Sequence, residues 1–309
     1  MEVSPKEVKE ILEEQIITSP GIVGVSVGSP VKVYVEDIDD AKRIPRYIAG
    51  VPVEVKVIGR VRVLAAFTNR VRPVLPAYSV SHPKVTAGTI GCFVYDKEDG
   101  KVKLMSNNHV IAASNAGKHG DAILQPGTYD GGRLGRDEIG YLDKYVEIKY
   151  APYYNDMDVA LATVETDYET KIPKVGFITG IAAPKKDMRV KKAGRTTGVT
   201  ESYVMDTNAT IKVEGYDGKT AIFRNQMLIV QPFAKGGDSG SLVLDDRNRA
   251  VGLLFAGSDE VAVATPIGRI LYALNCDIVS GKRRYGLPSP QDGIIFGLLT
   301  GVYLLSKYL

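Results

Sequence analysis

The stretch Gly236-Gly237-Asp238-Ser239-Gly240-Ser241 decides how the fold is interpreted, because it places a hydroxyl between glycines and directly after a carboxylate. Glycine adopts backbone angles that other residues avoid, so successive N–H groups can point toward one spot. A hydroxyl beside such donors is what acyl transfer requires of a nucleophile. The same residue types also form ordinary turns. The stretch therefore leaves two interpretations open, a nucleophile and a plain turn.

The residues around this stretch are typical of a β-sheet protein. A loop, Gln231-Pro232-Phe233-Ala234-Lys235, precedes it, and an apolar strand, Leu242-Val243-Leu244, follows it. Residues 84 to about 275 continue in the same manner, as short apolar runs separated by turn-forming residues, and Pro266–Asn275 predicts a short closing helix. The basic run Lys185–Lys192 is expected to face solvent from alternating strand positions.

The composition is that of an ordinary globular protein and excludes several function classes. Hydrophobic residues make up 44% of the 309 residues and charged residues 24%, and the net charge of +3 gives no basis for nucleic-acid binding. Only Cys92 and Cys276 are cysteines, which predicts neither a disulfide framework nor a metal site, and no cofactor is expected. The first seven residues are charged and lack the apolar segment of a secretory signal, which predicts a cytoplasmic protein.

Residues 1–68 predict a small α+β domain that carries no chemistry. A helix is expected from Ser4 to Ile17, with Ser4 as its cap and Glu7 completing a capping box. The other predicted elements are strands at Gly21–Val27 and Val31–Val35, a short helix near Asp39–Ile44 and a strand at Val51–Ile58. The segment contains no histidine or cysteine, so a packing or regulatory role is expected.

Residues 69–83 predict a linker between this domain and the β-rich region. They contain three prolines and show little periodicity. His82 lies near the end of the segment, directly before Pro83. A lone loop histidine is more often solvated than functional, so we expect His82 to face solvent.

His109 is the first candidate partner for Ser239. It follows the predicted strand Val102–Ser106 after two asparagines. The end of a buried strand is a place where a rigid scaffold presents a base. The alternative is a histidine that packs in the core or caps a helix.

Asp158 is the second candidate partner. It opens the apolar strand Val159-Ala160-Leu161-Ala162, which predicts a buried carboxylate with a hydrogen-bonding partner. The alternative is a turn aspartate, and Asp156 competes for the same role.

The order His109, Asp158, Ser239 resembles that of the chymotrypsin-like (trypsin-fold) serine peptidases. The matching patterns within residues 84–275 are Gly237-Asp238-Ser239-Gly240, Asp158-Val159-Ala160-Leu161, Gly194-Arg195-Thr196-Thr197-Gly198 and Val251-Gly252-Leu253-Leu254. Three further features resemble a prokaryotic branch related to the plant Nal1-like proteases. They are the stretch Ser106-Asn107-Asn108-His109-Val110, the loop Gln125–Gly132 and the N-terminal α+β unit.

This resemblance implies a mainly β fold of two antiparallel six-stranded β-barrels preceded by the small α+β domain. The barrels would span residues 84–166 and 167–275. The implied activity is that of a serine endopeptidase, in which Ser239 attacks, His109 transfers the proton and Asp158 orients the imidazole. The N–H groups of Gly237 and Ser239 would form the oxyanion hole.

The resemblance also implies where a protein or peptide substrate would bind. The substrate-binding residues would be Phe233, Ala234, Lys235, Phe255, Ala256 and Gly257. Most of them are apolar or small, which predicts a preference for an apolar residue before the cleaved bond.

Departures from the family pattern leave other functions open. Asn107 and Asn108 replace the usual small residues before the histidine, and no cysteine lies beside His109. Cys92 is therefore expected to be a free core thiol. Phe255 stands where a serine often supports the acid. The alternatives are a low-turnover or inactive binding or scaffold protein, and a protease that processes itself.

The C-terminal residues 276–309 predict a tail with an apolar segment. The uncharged stretch, residues 293–305, is shorter than the roughly 20 residues that cross a bilayer. The basic cluster Lys282-Arg283-Arg284 precedes it. A helix docked on the protein, an oligomer contact and membrane association through an interfacial helix or tail anchor all remain open.

Overall fold

The computed structural model describes residues 3–59, 67–281 and 283–285. The chain divides into two compact units, Met1–Ala65 and Ala66–Leu309. Within the second unit, the division into barrels at residues 84–166 and 167–275 stays a prediction.

The first unit is a four-stranded sheet with two helices. Its elements are α1 (Pro5–Ile16), β1 (Ile22–Ser26), β2 (Val31–Val35), α2 (Ile38–Lys42), β3 (Tyr47–Ile48) and β4 (Val51–Val57). The strand order is β1-β2-β4-β3, and β2 runs parallel to β4. Helix α1 begins at a capping box, in which the Ser4 side chain accepts from the Glu7 N–H and the Glu7 carboxylate accepts from the Ser4 N–H. Val8 and Leu12 of α1 are buried against the valines of β2.

The second unit is mainly β. Its α-helices are α3 (Asn108–Ile111) and α4 (Ile267–Ala273), and 3₁₀ helices are formed by Ala113–Asn115 and Thr128–Asp130. Its strands are β5 (Ser79–Val80), β6 (Gly88–Thr89), β7 (Cys92–Asp96), β8 (Val102–Ser106), β9 (Ala122–Leu124), β10 (Glu138–Tyr145), β11 (Tyr154–Asn155), β12 (Ala160–Thr163), β13 (Gly180–Ile181), β14 (Arg189–Gly194), β15 (Gly198–Tyr216), β16 (Lys219–Val230), β17 (Leu242–Asp245), β18 (Arg249–Gly257), β19 (Val261–Pro266), β20 (Cys276–Ser280) and β21 (Arg283–Tyr285).

Two large sheets contain most of these strands. The first has the order β21-β20-β7-β8-β12-β10-β9. The second has the order β11-β16-β15-β14-β17-β18-β13, and β19 pairs with both β16 and β18. Each strand from β14 to β19 pairs antiparallel with two others of that set, so the pairing passes through all six and returns to β14.

One core cluster joins the two sheets next to the serine stretch. Met105 of β8 and Leu161 of β12 are buried in the same cluster as Leu242 of β17 and Leu253 of β18. Each buried side chain of this size contributes roughly 1.5–3 kcal/mol to folding. Because Leu242 directly follows the serine stretch, this packing fixes the stretch against the ends of β8 and β12.

Both cysteines are free and lie in this core cluster. Burial raises the pKa of both thiols, that of Cys276 to about 12. The thiolate is the reactive form of cysteine, so these thiols are inert at neutral pH. Cys92 is therefore a free core thiol, as the sequence predicted.

The segment predicted to be a linker, residues 69–83, is instead an integral part of the second unit. Val74 and Val80 are fully buried, and the N–H of Val74 donates to the carbonyl of Asp167. The prolines of this segment lie at bends and turns, where their missing N–H groups break no ladder. The expectation that His82 faces solvent is wrong, since only 2% of the residue is exposed and its ring hydrogen-bonds Asp121.

The start of the predicted tail is also part of the sheet structure. Cys276–Ser280 form β20, which pairs antiparallel with β7. Cys276 and Ile278 alternate into the core, which explains why this segment forms a strand rather than leaving the protein. Residues 286–309 lie outside the described residues, so the contact proposed for residues 293–305 stays a prediction. In the described ranges no helix combines the length and apolar character needed to cross a membrane.

Asp137 anchors the segment that enters β10 and gives a pH-dependent prediction. Its buried carboxylate accepts hydrogen bonds from Arg70 Nε at 3.1 Å and from Arg136 Nη2 at 2.7 Å. The Arg136 hydrogen bond holds the pKa of Asp137 below its ordinary value, although burial opposes it. A depressed pKa stabilises the fold above the unfolded-state value of about 3.9, and this stabilisation is lost as the pH falls through the folded-state value.

We therefore expect Asp137→Asn to lower the melting temperature at pH 6, with a difference from wild type that shrinks below about pH 4. Thermal unfolding followed by circular dichroism between pH 6 and pH 2 measures this difference. Asp246→Asn is the matched control, since that side chain is 61% exposed and lies 3.8 Å from Arg189. A difference for Asp137→Asn that stays constant over the whole pH range would contradict the prediction.

Candidate active site

The pairing of β8 with β12 brings His109 and Asp158 to the same edge of the first sheet. The strands are antiparallel, with Ala160 opposite Ser106. Residues that follow Ser106 therefore lie beside residues that precede Ala160. Helix α3 begins at Asn108 and carries His109 in its first turn.

The Asp158 carboxylate is fully buried and holds the imidazole of His109. Its Oδ2 accepts from His109 Nδ1 at 2.6 Å, and its Oδ1 accepts from the His109 backbone N–H at 3.3 Å. A carboxylate acts as an acceptor, which assigns the ring proton to Nδ1. Nε2 then carries the free lone pair. The imidazole is 23% exposed, so this nitrogen is available to accept a proton.

Asp156, the competing carboxylate, lies away from the histidine. Its side chain is 60% exposed and pairs with Arg269 Nη2 at 2.8 Å. The structure thus brings Asp158, and not Asp156, to His109. The two residues differ because Asp158 directly precedes the buried strand.

Tyr216 is a partner of Asp158 that the sequence analysis did not identify. Its hydroxyl donates to Asp158 Oδ2 at 2.9 Å. Its ring stands edge-on to the His109 imidazole, with centroids 5.9 Å apart and an interplanar angle of 84°. Burial, together with the Asp158 carboxylate, raises the pKa of Tyr216. The phenol therefore remains a protonated donor.

The two asparagines before His109 fix the surrounding backbone. Asn107 Nδ2 donates to the Asp158 carbonyl at 2.7 Å, and Asn108 Nδ2 donates to the Val146 carbonyl at 2.7 Å. Both side chains are fully buried. The two asparagines thus tie the start of α3 to Val146 and to the backbone of Asp158.

Ser239 lies beside the segment that carries His109. Its carbonyl accepts from the Thr89 N–H at 2.8 Å. A Cβ atom at Gly88 would lie 3.0 Å from that carbonyl oxygen and would collide with Val110. The absence of a side chain at Gly88 therefore lets the serine stretch approach the residue next to His109.

The serine stretch presents two backbone donors. Within the described residues, the N–H groups of Gly237 and Ser239 donate to no acceptor. Gly237 has φ +92°, and a Cβ there would collide with Thr196 and Arg195, so glycine is required. The Ser239 hydroxyl donates to the Phe255 carbonyl at 3.3 Å.

Asp238 braces the stretch from inside the protein. Its buried carboxylate accepts from the N–H groups of Lys235 at 2.9 Å, Thr196 at 2.8 Å and Thr197 at 3.1 Å. The Thr197 hydroxyl adds a fourth donor at 2.7 Å. One side chain thus ties the serine stretch to the turn at residues 194–198.

Lys192 supplies the positive charge next to this carboxylate. Its Nζ lies 3.4 Å from Asp238 Oδ2, and both side chains are fully buried. The same ammonium contacts the Thr197 hydroxyl and donates to the Gly198 carbonyl at 3.1 Å. Burial lowers the pKa of Lys192, while Asp238 acts in the opposite direction. The expectation that the whole basic run faces solvent is therefore wrong at its last member.

A second ion pair joins the turn to the loop that precedes β10. Arg195 Nε and Nη2 donate to the Asp130 carboxylate at 2.8 Å and 2.6 Å. The guanidinium carbon lies 5.0 Å from the centre of the Tyr129 ring. Both charged side chains are largely buried, at 13% and 7% exposure. Because Arg195 also lies against Gly237, this pair supports the backbone donors.

The six residues expected to bind substrate divide into two kinds. The buried ones are Phe233 and Phe255, and those that reach the surface are Ala234, Lys235, Ala256 and Gly257. The Phe255 ring packs on Phe223, with centroids 4.8 Å apart. Their role in substrate binding stays a prediction.

The sequence contains a signal for the buried position of Lys192, which the prediction missed, but none for the contact of Tyr216 with Asp158. In Val190-Lys191-Lys192-Ala193, strand alternation places Lys192 on the same face as the buried Val190, which would have identified it as buried. Tyr216 sits beside a glycine-bounded turn, and no local pattern links it to Asp158.

Comparison with known proteins finds structural likeness alone. No family model and no curated protein matches the chain. The chain is similar to a glutamic acid specific serine protease, with 18% identity, a TM-score of 0.49 and coverage of 67% of this chain and 100% of that one. The chain is also similar to the protease of Nocardiopsis, with 15% identity, a TM-score of 0.49 and coverage of 66% of this chain and 98% of that one. For the chymotrypsin of Cellulomonas bogoriensis the identity is 17%, the TM-score is 0.47, and the coverage is 67% of this chain and 99% of that one.

These similar structures are chymotrypsin-like serine proteases. None of them addresses the resemblance to Nal1-like proteases, which stays a prediction. We therefore infer the function from the chain's own residues.

Proposed function

We propose that this protein is a serine endopeptidase in which Ser239 is the nucleophile, His109 the base and Asp158 the acid of the triad. One observation carries the proposal, the hydrogen bond of 2.6 Å from His109 Nδ1 to the buried Asp158 carboxylate. It leaves Nε2 as the ring nitrogen that can accept the serine proton. An imidazole oriented by a buried carboxylate is the base that a serine nucleophile requires.

In the first half of the reaction, the Ser239 oxygen bonds to the carbonyl carbon of the substrate while its proton moves to His109 Nε2. The carbonyl oxygen becomes negatively charged and accepts hydrogen bonds from the N–H groups of Gly237 and Ser239. Each such donor contributes roughly 3–4 kcal/mol to lowering the barrier. The C–N bond then breaks, and His109 returns the proton to the leaving amine.

In the second half, water takes the place of the amine. His109 accepts a proton from the water as its oxygen attacks the acyl-enzyme carbon. The bond to Ser239 breaks, and the serine recovers its proton from the imidazole. Asp158 stabilises the positively charged imidazole in both halves of the reaction and does not itself take up a proton.

The substrate class in this proposal is a protein or peptide chain. The surface residues Ala234, Lys235, Ala256 and Gly257 would bind it, with a preference for an apolar residue before the cleaved bond. The antiparallel pairing that runs through β14 to β19 and back supports one closed six-stranded barrel in the second half of this fold. The proposed first barrel would contain β7 to β12.

A second candidate is a protein with the same fold and little turnover. The observation that favours it is the Ser239 hydroxyl, which donates to the Phe255 carbonyl at 3.3 Å rather than to the imidazole. Catalytic hydrogen bonds often form only when substrate binds, so this geometry is also compatible with an active enzyme.

Labelling with a fluorophosphonate probe tests the proposal. We expect the full-length chain to form one covalent adduct on Ser239, identified by mass spectrometry of its peptides. Ser239→Ala should show no adduct, and Ser202→Ala, a serine outside the site, should label like wild type. A correctly folded wild type that remains unlabelled would overturn the enzyme hypothesis. Labelling without cleavage of casein would indicate restricted specificity, as expected of a self-processing protease.

A further inference from the structure

We propose that Tyr216 is a positioning residue, whose hydroxyl fixes the Asp158 carboxylate that orients His109. The inference deepens the proposed function and rests on it for its catalytic consequence. Tyr216 belongs to the second sheet, while the carboxylate that it contacts lies in the connection between β11 of that sheet and β12 of the first.

A single oxygen of Asp158 serves both partners. Oδ2 accepts from His109 Nδ1 at 2.6 Å and from Tyr216 Oη at 2.9 Å. Oδ1 receives the longer contact of 3.3 Å from the His109 N–H. Rotation of the carboxylate about its Cβ–Cγ bond would therefore break both side-chain hydrogen bonds. The phenol thus selects the carboxylate orientation that the imidazole needs.

The long hairpin of β15 and β16 delivers this hydroxyl. Tyr216 is the last residue of β15 and pairs with Lys219 across the turn. Just before the acid, β11 pairs in parallel with β16 at Tyr154↔Ile222 and Asn155↔Phe223. The backbone that leads to Asp158 is therefore attached to the hairpin that carries Tyr216.

The packing around the ring keeps the hydroxyl in place. Tyr216 is 4% exposed and lies 5.9 Å from the Phe223 ring, which in turn packs on Phe255. Phe255 is the residue that stands where the family often places a serine. An aromatic cluster thus occupies that position, and the donor to the acid comes from the hairpin.

Tyr216→Phe tests this role because it removes the hydroxyl and keeps the ring. Tyr150→Phe is the matched control, since Tyr150 Oη donates to the Ser114 carbonyl at 3.2 Å and its ring packs against the same cluster. We expect Tyr216→Phe to lower the fluorophosphonate kinact by roughly tenfold, with KI unchanged. Tyr150→Phe should keep the wild-type kinact. Equal kinact values for both variants and wild type would overturn the inference.

The proton on His109 Nδ1 gives a readout that does not need activity. A short N–H···O hydrogen bond to a carboxylate shifts its proton resonance far downfield of the amides. We expect this resonance to change position in Tyr216→Phe and to stay in place in Tyr150→Phe. A resonance that is the same in all three proteins would show that Tyr216 does not act on the imidazole.

A fluorinated tyrosine incorporated only at position 216 keeps the hydroxyl and makes it a stronger donor. This variant replaces Tyr216→Phe in the experiment if Tyr216→Phe fails to fold. The His109 Nδ1 proton resonance should also change position in it. Failure of the two proposals is distinguishable. An unlabelled wild type whose resonance responds to position 216 refutes the peptidase and supports the link from Tyr216 to His109. If the wild type is labelled and the Nδ1 resonance does not respond to changes at position 216, the peptidase proposal is supported and the link from Tyr216 to His109 is refuted.

Discussion

Asp158→Asn should slow the acylation of Ser239 by roughly 10⁴-fold while the protein remains folded. Asparagine can offer an NH₂ group where the carboxylate offered an acceptor, and Nδ1 would then accept that hydrogen bond. The imidazole proton would move to Nε2, which could no longer take the serine proton. The rate of fluorophosphonate labelling at neutral pH, normalised to folded protein, measures this loss.

Asp156→Asn is the control for this prediction, because it makes the same chemical change two residues away on an exposed side chain. It should label at the wild-type rate. If Asp158→Asn also labelled at that rate, the carboxylate would have no part in orienting the base. If both variants lost labelling, the loss would come from a disturbance of the segment that contains residues 156 and 158, and not from loss of the hydrogen bond to His109.

Lys192→Met should destabilise the protein by roughly 3–5 kcal/mol in the free energy of unfolding, because it leaves the Asp238 charge buried without its counter-ion. The carboxylate would keep its hydrogen bonds from Lys235, Thr196 and Thr197. The serine stretch would nevertheless relax toward solvent, and labelling per folded molecule should slow. Denaturant titration at neutral pH and the labelling rate of the same sample give the two measurements.

Lys103→Met is the matched control, since Lys103 is also buried, at 2% exposure, and pairs with Asp99 and Asp143 away from the serine. It should lose stability without any change in labelling per folded molecule. The double variant Lys192→Met with Asp238→Asn should regain part of the stability by removing the stranded charge. Strictly additive losses in the double variant would contradict a buried ion pair.

Much of the candidate site was accessible from the sequence because its residues lie at strand ends. Ser239 lies in a glycine-rich loop, and His109 and Asp158 each adjoin an apolar run, so local patterns made all three candidates, and the resemblance of their order to a known family selected them. The choice between Asp156 and Asp158 needed the structure, since both carboxylates precede the same strand. Burial of one and exposure of the other decided the choice.

The parts that sequence could not provide are contacts between segments far apart in the chain. Tyr216 meets Asp158 because β11 pairs with β16, a parallel pairing that no local periodicity encodes. The linker was mispredicted for a similar reason, because prolines that break periodicity also occur at the turns of a segment whose other residues, such as Val74 and Val80, are buried. Cys276–Ser280 were assigned to the tail because a strand of five residues after a helix gives a weak signal.

The place of β20 in the first sheet has a consequence for biosynthesis. β7 lies between β8 and β20, so one of its edges stays unpaired until Cys276–Ser280 have been translated. Domains fold as they leave the ribosome, at roughly 5–20 residues per second. Ser239, His109 and Asp158 therefore all emerge before β20, the strand that pairs with this edge. A chain that ended before Cys276 would therefore contain all three residues and still leave one edge of β7 without its partner strand.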